Sequence, residues 1–459
     1  MSKLITVNKT KLAIFIIAGF VFIIHACSVD ENVLSDWFNP EEYNAGGATT
    51  IFDASSAAFS TPADNLSGDN LQKHFDGDAE FEATFVTAPA VVNSGLGPIF
   101  NDVSCVGCHT LDGRGNKPTV FRISIPGMDI HNAPLAIPGY GLQLQNKAIF
   151  GVLPEGDISI NYIEEPFYFP DGQIVYLRKP VYQIINTYAA IPGDVLLSVR
   201  VAPPVFGLGL LEGIPENSIL FYADETDANK DGISGKANYV FDVVTESIIL
   251  GRFGWKANQP NLDQQTAAAF NGDMGITSPL FQKENCDGQT QCDALTDDPE
   301  IDAVNLDVVS FYVKTLAVPA PRNLDNADVM EGKKYFFESG CNSCHVQKFT
   351  TGVLPGIPEL SNQTIYPYTD LLLHDMGEGL ADNRPDYLAT GNEWKTRPLW
   401  GIGLTEVANG HTIFLHDGRA RNLTEAILWH GGEAEKSKSY FANLNKGQRE
   451  KLIVFLEAL

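Results

Sequence analysis

Two copies of one short motif constrain this chain more than any other feature. The pattern C-x-x-C-H occurs at residues 105–109 and again at residues 341–345. Two thiols at this spacing can each form a thioether to one vinyl group of a haem, and the histidine that follows then lies beneath the iron as its ligand. A thioredoxin-like thiol pair, or a zinc site formed by both pairs together, is the alternative. Two complete motifs favour two covalently bound haems c. The predicted haem-binding residues are Cys105, Cys108, His109, Cys341, Cys344 and His345.

The residues at the start of the chain have the features of a bacterial lipoprotein signal peptide. Lys3, Lys9 and Lys11 precede an apolar run at residues 12–24, which is too short to span a bilayer as a helix. Cys27 follows an alanine and is the predicted lipidation site, so residues 1–27 are predicted to be the signal peptide and the lipidated cysteine. An incidental cysteine after an ordinary signal peptide is the alternative. Because serine rather than aspartate follows the cysteine, we expect a lipid anchor in the outer membrane, at the periplasmic face or the cell surface.

The balance of charges narrows the range of partners. The sequence has 31 Lys and Arg against 57 Asp and Glu, a formal net charge of −26. Nucleic-acid phosphates and anionic membrane surfaces repel such a chain, so neither is an expected partner. A basic redox protein such as a small cytochrome is compatible with this charge. The acidic, low-complexity residues after the anchor predict a tether over residues 28–65.

The other two cysteines have a different spacing. Cys286 and Cys292 enclose a polar loop of five residues. In an oxidising envelope, this arrangement favours a disulfide with a structural role.

An acidic loop in the middle of the chain matches the first half of a calcium-binding loop. Asp227, Asn229 and Asp231 occupy the positions of oxygen ligands, and Gly232 occupies the position of the turn glycine. The twelfth position is Asn238 rather than glutamate. A solvated Asp/Asn turn is therefore the alternative to a structural calcium site.

The hydrophobic pattern predicts a mainly α-helical fold with two cytochrome c-like haem domains. Amphipathic helices are expected at residues 327–338, before the second motif, and at residues 446–459, where the two would cross. Residues 306–316 are expected to form the closing helix of the first haem domain. Between about residues 120 and 250, β-branched runs separated by Pro and Gly predict a β-rich insertion.

The Pro-rich stretch that follows residue 318 predicts the boundary between the two haem domains. The predicted domains are an N-terminal haem domain at residues 66–320, which contains the insertion, and a C-terminal haem domain at residues 321–459.

Four longer strings lie around and between the two motifs: GLGPIFNDVSCVGCHTLDGRG, GRFGWKANQPNL, LLLHDMGEGLAD and FLHDGRARNLTEAILWHGGEA. With these strings, the chain from about Gly95 to its C-terminus resembles a family of bacterial di-haem c-type oxidoreductases, formerly labelled predicted thiol oxidoreductases. That family is related to the bacterial di-haem cytochrome c peroxidases. The resemblance covers both predicted haem domains, but the β-rich insertion has no counterpart in the peroxidases.

The resemblance implies roles for three residues near the first haem. In the peroxidases, a Trp between the haems begins a string W-x9-Q, and a Glu-Met pair follows; the Gln and the Glu line the peroxide side of the open haem. The matching residues here are Trp255, Gln265 and Asp273, although the acid is Asp and lies two residues closer. Asp273 would be the general acid/base, Gln265 would orient peroxide and Trp255 would relay electrons. A buried structural Trp and a capping or loop Asp are the alternatives.

The resemblance also bears on the second haem. In the peroxidases, the sixth ligand of the electron-transfer haem is usually Met and follows an HDG motif by fourteen positions. At that distance from His416, this sequence has His430, at the end of a predicted helix over residues 423–429 that Asn422 caps. Met376 is the competing ligand, and a surface histidine favoured by the helix dipole is the alternative for His430. Ligation by two histidines would give a lower reduction potential than ligation by His and Met.

No histidine matches the removable distal ligand that the peroxidases keep on the first haem. His131 is the only candidate after the first motif and lies in a Pro-rich loop. We expect His74 and His411 at the surface. A vacant sixth position on the first haem is therefore favoured.

Three functions are compatible with these features. The favoured one is a peroxidase-like envelope enzyme, in which peroxide or another small oxidant reacts at an accessible N-terminal haem and the C-terminal haem transfers electrons. The second is a non-catalytic electron-transfer lipoprotein with two six-coordinate haems. A haem-dependent thiol oxidase is the third, although the motifs and the predicted disulfide leave no dithiol for exchange.

Overall fold

The fold combines short helices with several small sheets. A computed structural model describes residues 35–293, 295 and 298–459, so the predicted signal peptide and Cys27 lie outside the described residues. Helices make up 30% of the structure and strands 19%. The prediction of a mainly α-helical fold with cytochrome c-like domains is therefore wrong. The physical reason is that many apolar residues lie in short extended segments, which satisfy their backbone groups by pairing with one another.

Eleven α-helices lie in the described residues, and none of them is long and apolar enough to cross a membrane. They are α1 (Gly68–Glu82), α2 (Cys105–Cys108), α3 (Leu208–Glu212), α4 (Glu216–Leu220), α5 (Leu262–Met274), α6 (Ala303–Thr315), α7 (Ala327–Glu338), α8 (Thr405–Asn409), α9 (Leu423–Trp429), α10 (Glu435–Asn443) and α11 (Lys446–Ala458). Short 3-10 helices lie at Ser35–Trp37, Pro40–Tyr43, Gly47–Thr49, Thr110–Asp112, Cys341–Ser343, Pro358–Leu360, Ile402–Leu404 and Gly432–Ala434.

The strands form one three-stranded sheet and several two-stranded ones. They are β1 (Ile99–Phe100), β2 (Pro118–Met128), β3 (Pro134–Leu135), β4 (Lys147–Ala148), β5 (Asp157–Tyr168), β6 (Ile174–Ile185), β7 (Leu196–Val201), β8 (Tyr239–Asp242), β9 (Ser247–Leu250), β10 (Phe349–Thr350), β11 (Thr364–Ile365), β12 (Leu373–Asp375) and β13 (Glu393–Lys395). The three-stranded sheet has the order β3-β2-β7, and the pairs are β1-β4, β5-β6, β8-β9, β10-β11 and β12-β13.

Two helix pairs cross closely, one on each side of residue 320. α1 packs against α6, and α7 packs against α11. Each crossing has a glycine where the two backbones meet. A Cβ at Gly77 would overlap the carbonyl oxygen of Val308, and a Cβ at Gly332 would overlap that of Lys451. The predicted crossing of the two helices that flank the second motif is thus present.

The long hairpin β5-β6 joins the β-rich segment to the C-terminal part of the chain. Its antiparallel register pairs Asp157 with Ile185. The hydroxyl of Tyr182 donates a hydrogen bond to Asp417 at 2.6 Å, and the guanidinium of Arg178 donates to the carbonyl of Gly418 at 2.7 Å. The strands of this segment lie mostly at residues 118–250, close to the predicted β-rich region.

Two main hydrophobic clusters draw on residues from both sides of residue 320. The larger contains Phe81, Phe270 and Tyr312 and also Phe349 and Trp400. The second contains Phe336 and Phe455 of α7 and α11, together with aromatic side chains from the β-rich segment and its neighbourhood. The two halves are therefore tightly packed on one another, and the domain boundaries stay a prediction.

Residues 35–65 pack against the rest of the protein. Glu42 is buried and forms an ion pair with Lys333 of α7. Ile51 forms a parallel β-bridge with Pro319, and Phe59 stacks on Phe206 with ring centroids 4.3 Å apart. This part of the predicted tether thus covers the fold instead of extending away from it.

The glycine at the crossing of α7 and α11 gives a first testable prediction. Gly332→Ala should lower the free energy of unfolding by about 1–3 kcal/mol, because the added methyl group overlaps the Lys451 carbonyl and forces the helices apart. Gly447→Ala is the matched control: it adds the same methyl group on exposed α11 surface, with its nearest neighbour 3.5 Å away. Urea denaturation of both variants measures the difference. Equal stability of the two variants would contradict the proposed close contact.

Candidate functional site

The first C-x-x-C-H motif forms part of the wall of a cavity of about 170 Å³. Its two cysteines lie at the ends of α2, a single helical turn that Ser104 caps by accepting a hydrogen bond from the backbone N–H of Gly107 at 3.1 Å. His109 follows, and its Nδ1 donates to the carbonyl of Pro203 at 2.7 Å. Since a carbonyl can only accept, Nδ1 carries the proton and Nε2 is the nitrogen left for a metal.

The second motif lines a larger cavity of about 250 Å³. His345 donates from Nδ1 to the carbonyl of Tyr368 at 2.9 Å, which again leaves Nε2 for a metal. His430 lines the same cavity at the end of α9, and its Nδ1 donates to the carbonyl of Ala426 at 2.7 Å. His345 and His430 thus each offer Nε2 in this cavity. His416 also lines it, but its ring stacks on Trp394 with centroids 3.8 Å apart and its Nε2 lies 3.6 Å from a carboxylate oxygen of Asp417.

Burial keeps these groups uncharged. It lowers the pKa of His109 and of His345 to about 4, and it lowers the pKa of His430. A metal ligand must be a neutral imidazole, so this setting suits ligation. Burial also raises the pKa of the Cys105 and Cys108 thiols to about 12. A thioether carries no charge and is therefore compatible with the same apolar surroundings.

Buried cations line both cavities. Arg397 lies on the wall of each, and burial lowers the pKa of its guanidinium to about 10. Arg114 lines the second cavity, and burial lowers its pKa to about 9. Within the described residues, neither has a carboxylate partner at ion-pair distance. A buried cation is costly unless it is paired, and the two propionates of a haem are carboxylates. Both cavities therefore fit haem in their thiols, their imidazoles and their charge.

Trp255 lies between the two cavities and lines both. Its Nε1 donates to the carbonyl of Val201 at 2.9 Å, and the side chain is buried. The guanidinium carbons of Arg114 and Arg397 lie 5.3 and 5.1 Å from its ring centroids. The indole is thus fixed by a hydrogen bond and two cations, in contact with both cavities.

The structure brings Gln265 and Asp273 to the first cavity as well. Both lie on α5, which begins after Asn261, whose side chain accepts a hydrogen bond from the backbone N–H of Gln264. Asp273 accepts a hydrogen bond from Nε2 of Gln143 at 2.7 Å. Burial raises the pKa of Asp273, while the charge of Arg122 and the hydrogen bond from Gln143 act in the opposite direction. A carboxyl that can take up and release a proton therefore faces the cavity of the first motif.

Comparison with known families agrees with this geometry. The family model described as "di-haem oxidoreductase, putative peroxidase" matches residues 41–124 and 128–459. The chain belongs to this di-haem oxidoreductase family. No protein with curated annotation matches the sequence. The family assignment confirms the resemblance drawn from the motifs and implies haem as the cofactor.

Two further side chains line the second cavity of this di-haem oxidoreductase. Met376 lies on its wall with His345 and His430. His374 also faces the cavity, but its two ring nitrogens bond to Asp370 and Glu433, each at 2.7 Å. His374 is therefore held by carboxylates and has no nitrogen left for iron. Sequence analysis did not find these two hydrogen bonds. Glu433 is 59 residues from His374, and the bond to Asp370, four residues away, depends on the local path of the backbone.

The remaining histidines lie outside the first cavity. His131 stacks on Phe241 with ring centroids 4.0 Å apart and does not line the cavity. His74 is only 1% exposed and bonds through Nδ1 to Thr315 at 2.8 Å, so its predicted surface position is wrong. The reason is that α1 turns this side chain towards α6. His411 is half-buried and bonds to the carbonyl of Arg114.

Sequence reasoning missed the polar residues that the β-rich segment contributes. Arg122 of β2 and Arg200 of β7 line the first cavity. Arg200 forms an ion pair with Asp386 at 3.2 Å. Gln143 reaches Asp273 from the loop between β3 and β4. The signal that could have indicated the two arginines is a single charge within each otherwise apolar strand.

The predicted calcium loop is closed by its own hydrogen bonds. Oδ1 of Asp227 accepts from the backbone N–H of Gly232 at 3.2 Å. The side-chain oxygens of Asn229 and Asp231 each accept from a backbone N–H two residues on. Asn238, at the twelfth position, is buried and bonds to the carbonyls of Lys256 and Asp386 elsewhere in the fold. Calcium stays a prediction.

Cys286 and Cys292 form a disulfide, with their sulfurs 2.07 Å apart. The cysteines of the two motifs take part in no disulfide among the described residues.

The shared position of Arg397 generates the second prediction. Arg397→Gln removes one positive charge that faces both cavities, so the midpoint potentials of both haems should fall by tens of millivolts, as expected for one unit charge at an effective dielectric constant of about 20. Spectroelectrochemical titration measures the two potentials. Arg421→Gln, which removes an exposed charge paired with Glu164, is the control and should shift neither. A shift in only one potential would contradict the shared position.

Proposed function

We propose that this di-haem oxidoreductase is a peroxidase-like enzyme of the bacterial cell envelope that carries two covalently attached haems c. Cys105, Cys108 and His109 would hold the first haem, and Cys341, Cys344, His345 and His430 the second. Peroxide or another small oxidant would react at the first haem. A redox protein such as a small cytochrome would supply electrons.

The observation that carries this proposal is the difference between the two cavities. Among the described residues, His109 is the only histidine on the wall of the first cavity. The second cavity has His345 and His430, each with Nε2 unbonded. His109 alone would therefore hold the iron of the first haem, which would leave it open to an oxidant, and His345 and His430 would together hold that of the second, which would suit it to electron transfer.

A haem iron with an accessible position supplies binding of peroxide and exchange of electrons. Two residues of α5 would then transfer the proton and orient the oxidant. The carboxyl of Asp273 takes a proton from the bound oxidant and returns it to the oxygen that departs. The amide of Gln265 orients the oxidant beside it. Gln143 holds Asp273 in place through the 2.7 Å hydrogen bond.

Trp255 provides the contact between the two sites. Because its indole lines both cavities, it offers an aromatic side chain in contact with both sites. The two flanking guanidiniums fix its orientation. Electrons stored at the second site would pass across this ring to the first.

The envelope location rests on the sequence. The basic residues at the N-terminus, the short apolar run and Cys27 support export and lipid anchoring, with the outer membrane as the proposed site. An oxidising compartment is also where a disulfide such as Cys286–Cys292 persists.

One observation favours the alternative of an electron-transfer protein without its own chemistry. Met274 lies on the wall of the first cavity beside Asp273. A thioether can ligate haem iron, and a sixth ligand there would close the position that an oxidant needs. The spin state of the first haem separates the two functions.

The third prediction concerns those spin states. Low-temperature EPR of the ferric protein, from which residues 1–27 have been deleted, should show one high-spin and one low-spin haem, and both haems should stay with the chain after denaturation. His430→Ala should abolish the low-spin signal of the second haem, because it removes one of the two imidazoles. His131→Ala, outside both cavities, is the control and should leave both signals unchanged. Two low-spin signals in the unmodified protein would favour the electron carrier.

The fourth prediction tests the acid. Asp273→Asn should lower the rate of peroxide reduction by about 10²–10⁴-fold, the usual contribution of a general acid/base, while the EPR signals stay unchanged. Steady-state assays with an artificial electron donor measure the rate. Asp263→Asn is the matched control on the same helix, since Asp263 bonds to Lys314 and Ser310 away from the cavity. A loss of less than about threefold in Asp273→Asn would exclude this role.

A further inference from the structure

A third cavity adjoins the first haem cavity. It has a volume of about 390 Å³ and lies between the β-rich segment, α5 and the loop that contains Arg384. Arg122, Asn258 and Gln259 line both this cavity and that of the first motif. At the other end Ala136, which is exposed, lies on its wall. We call this cavity the antechamber, because it runs from the exposed surface to the wall of the haem cavity.

Several buried polar atoms on the wall of the antechamber have no protein partner. Oε1 of Gln143, Oε1 of Gln145 and Nε of Arg384 make no hydrogen bond within the described residues. The three side chains are 5%, 2% and 2% exposed. Buried polar groups are almost always hydrogen-bonded, and water supplies the partner where the protein does not. The volume is far above the roughly 10–15 Å³ that a single water needs, so the antechamber can hold several waters beside these side chains.

Gln143 connects the antechamber to the proposed acid. Its amide nitrogen donates to Asp273 at 2.7 Å and to the carbonyl of Gly272 at 2.7 Å, and the side chain also lines the antechamber. Arg122 lies on the wall shared by both cavities, and its positive charge acts on Asp273. One residue of the shared wall, Arg122, thus acts on the charge of Asp273, and one residue of the antechamber, Gln143, contacts it.

We propose that the antechamber is the hydrated route by which small polar reactants reach the Asp273 side of the first haem site, with Gln143 as the residue that positions Asp273 at its inner end. The proposal rests on the proposed function, because a route matters only if the first haem is accessible. The β-rich segment, which supplies Arg122 and Gln143, thus has a part in the reaction.

The chemistry of the wall indicates which reactants can pass. The amide side chains of Gln143 and Gln145 and the guanidinium of Arg384 lie on this wall, and such groups can accept and donate hydrogen bonds. Hydrogen peroxide and hydrogen cyanide are small, uncharged at neutral pH and able to donate and accept. Each can replace water along this wall, whereas an apolar molecule would leave the same atoms unpartnered.

The test narrows the route and measures the passage of a ligand that undergoes no turnover. Ala136→Trp places a large ring at the exposed end, and Ala268→Leu narrows the antechamber from α5. Stopped-flow mixing of the ferric, haem-loaded protein with cyanide gives the association and dissociation rates at the first haem. We expect both rates to fall by about tenfold in at least one variant, with the dissociation constant changed by less than about twofold, because a narrowed route slows entry and exit alike. Ala190→Trp, at an exposed position outside the antechamber, is the matched control and should leave both rates unchanged.

The outcomes separate this inference from the proposed function. If the unmodified protein binds no cyanide at the first haem, the proposed function fails and the route fails with it. If it binds cyanide but both variants keep the unmodified rates, or change the dissociation constant alone, the route is excluded and the proposed function stands.

For Gln143, the variant Gln143→Leu should lower the rate of peroxide reduction and shift the pH profile of that rate. A change in stability without a shift of that profile would exclude the positioning role.

Discussion

A histidine that ligates a metal needs a hydrogen bond at one ring nitrogen and a free electron pair at the other. Much of this fold places the backbone carbonyls that accept those hydrogen bonds. His109, His345 and His430 each donate Nδ1–H to a backbone carbonyl, of Pro203, Tyr368 and Ala426 respectively. A carbonyl cannot donate, so each bond fixes the tautomer and directs Nε2 away from it. The fold places each of these carbonyls: Pro203 follows β7, Tyr368 lies in the second hydrophobic cluster and Ala426 belongs to α9.

The difference between the two sites follows from what surrounds each free nitrogen. Around the second cavity, helices α7, α9 and α11 supply apolar side chains and a second imidazole. Around the first, α5 and the β-rich segment supply a carboxyl, amides and guanidiniums. Two imidazoles with free Nε2 favour a redox centre at the second cavity, whereas a carboxyl beside amides can hold and move a proton at the first. The β-rich segment therefore distinguishes the sites chemically, although it carries neither motif.

The sequence predicted the parts of this structure that depend on short-range patterns. The two motifs, the caps of α9 and α11 and the bounds of α7 were readable because each signal lies within a few residues. Gln265 and Asp273 were found through a resemblance, and the structure places both at one cavity. Gln143 could not be found in this way, since it lies 130 residues from Asp273 and reaches it only through strand and loop packing. The prediction of the fold class was wrong for the same reason, because strand pairing depends on residues that are far apart in the sequence.

The buried charges indicate that the cofactors contribute to the stability of the fold as well as to its chemistry. In a protein with a formal net charge of −26, Lys256 is compensated by Asp382 at 2.7 Å, and Arg200 and Arg384 share Asp386. Arg114 is buried and Arg397 is partly buried, yet among the described residues they contact the Trp255 ring and no carboxylate. A cation–π contact offsets only part of the cost of removing a guanidinium from water. The carboxylates of a bound haem would supply the missing partners, so we expect haem loading to stabilise the fold.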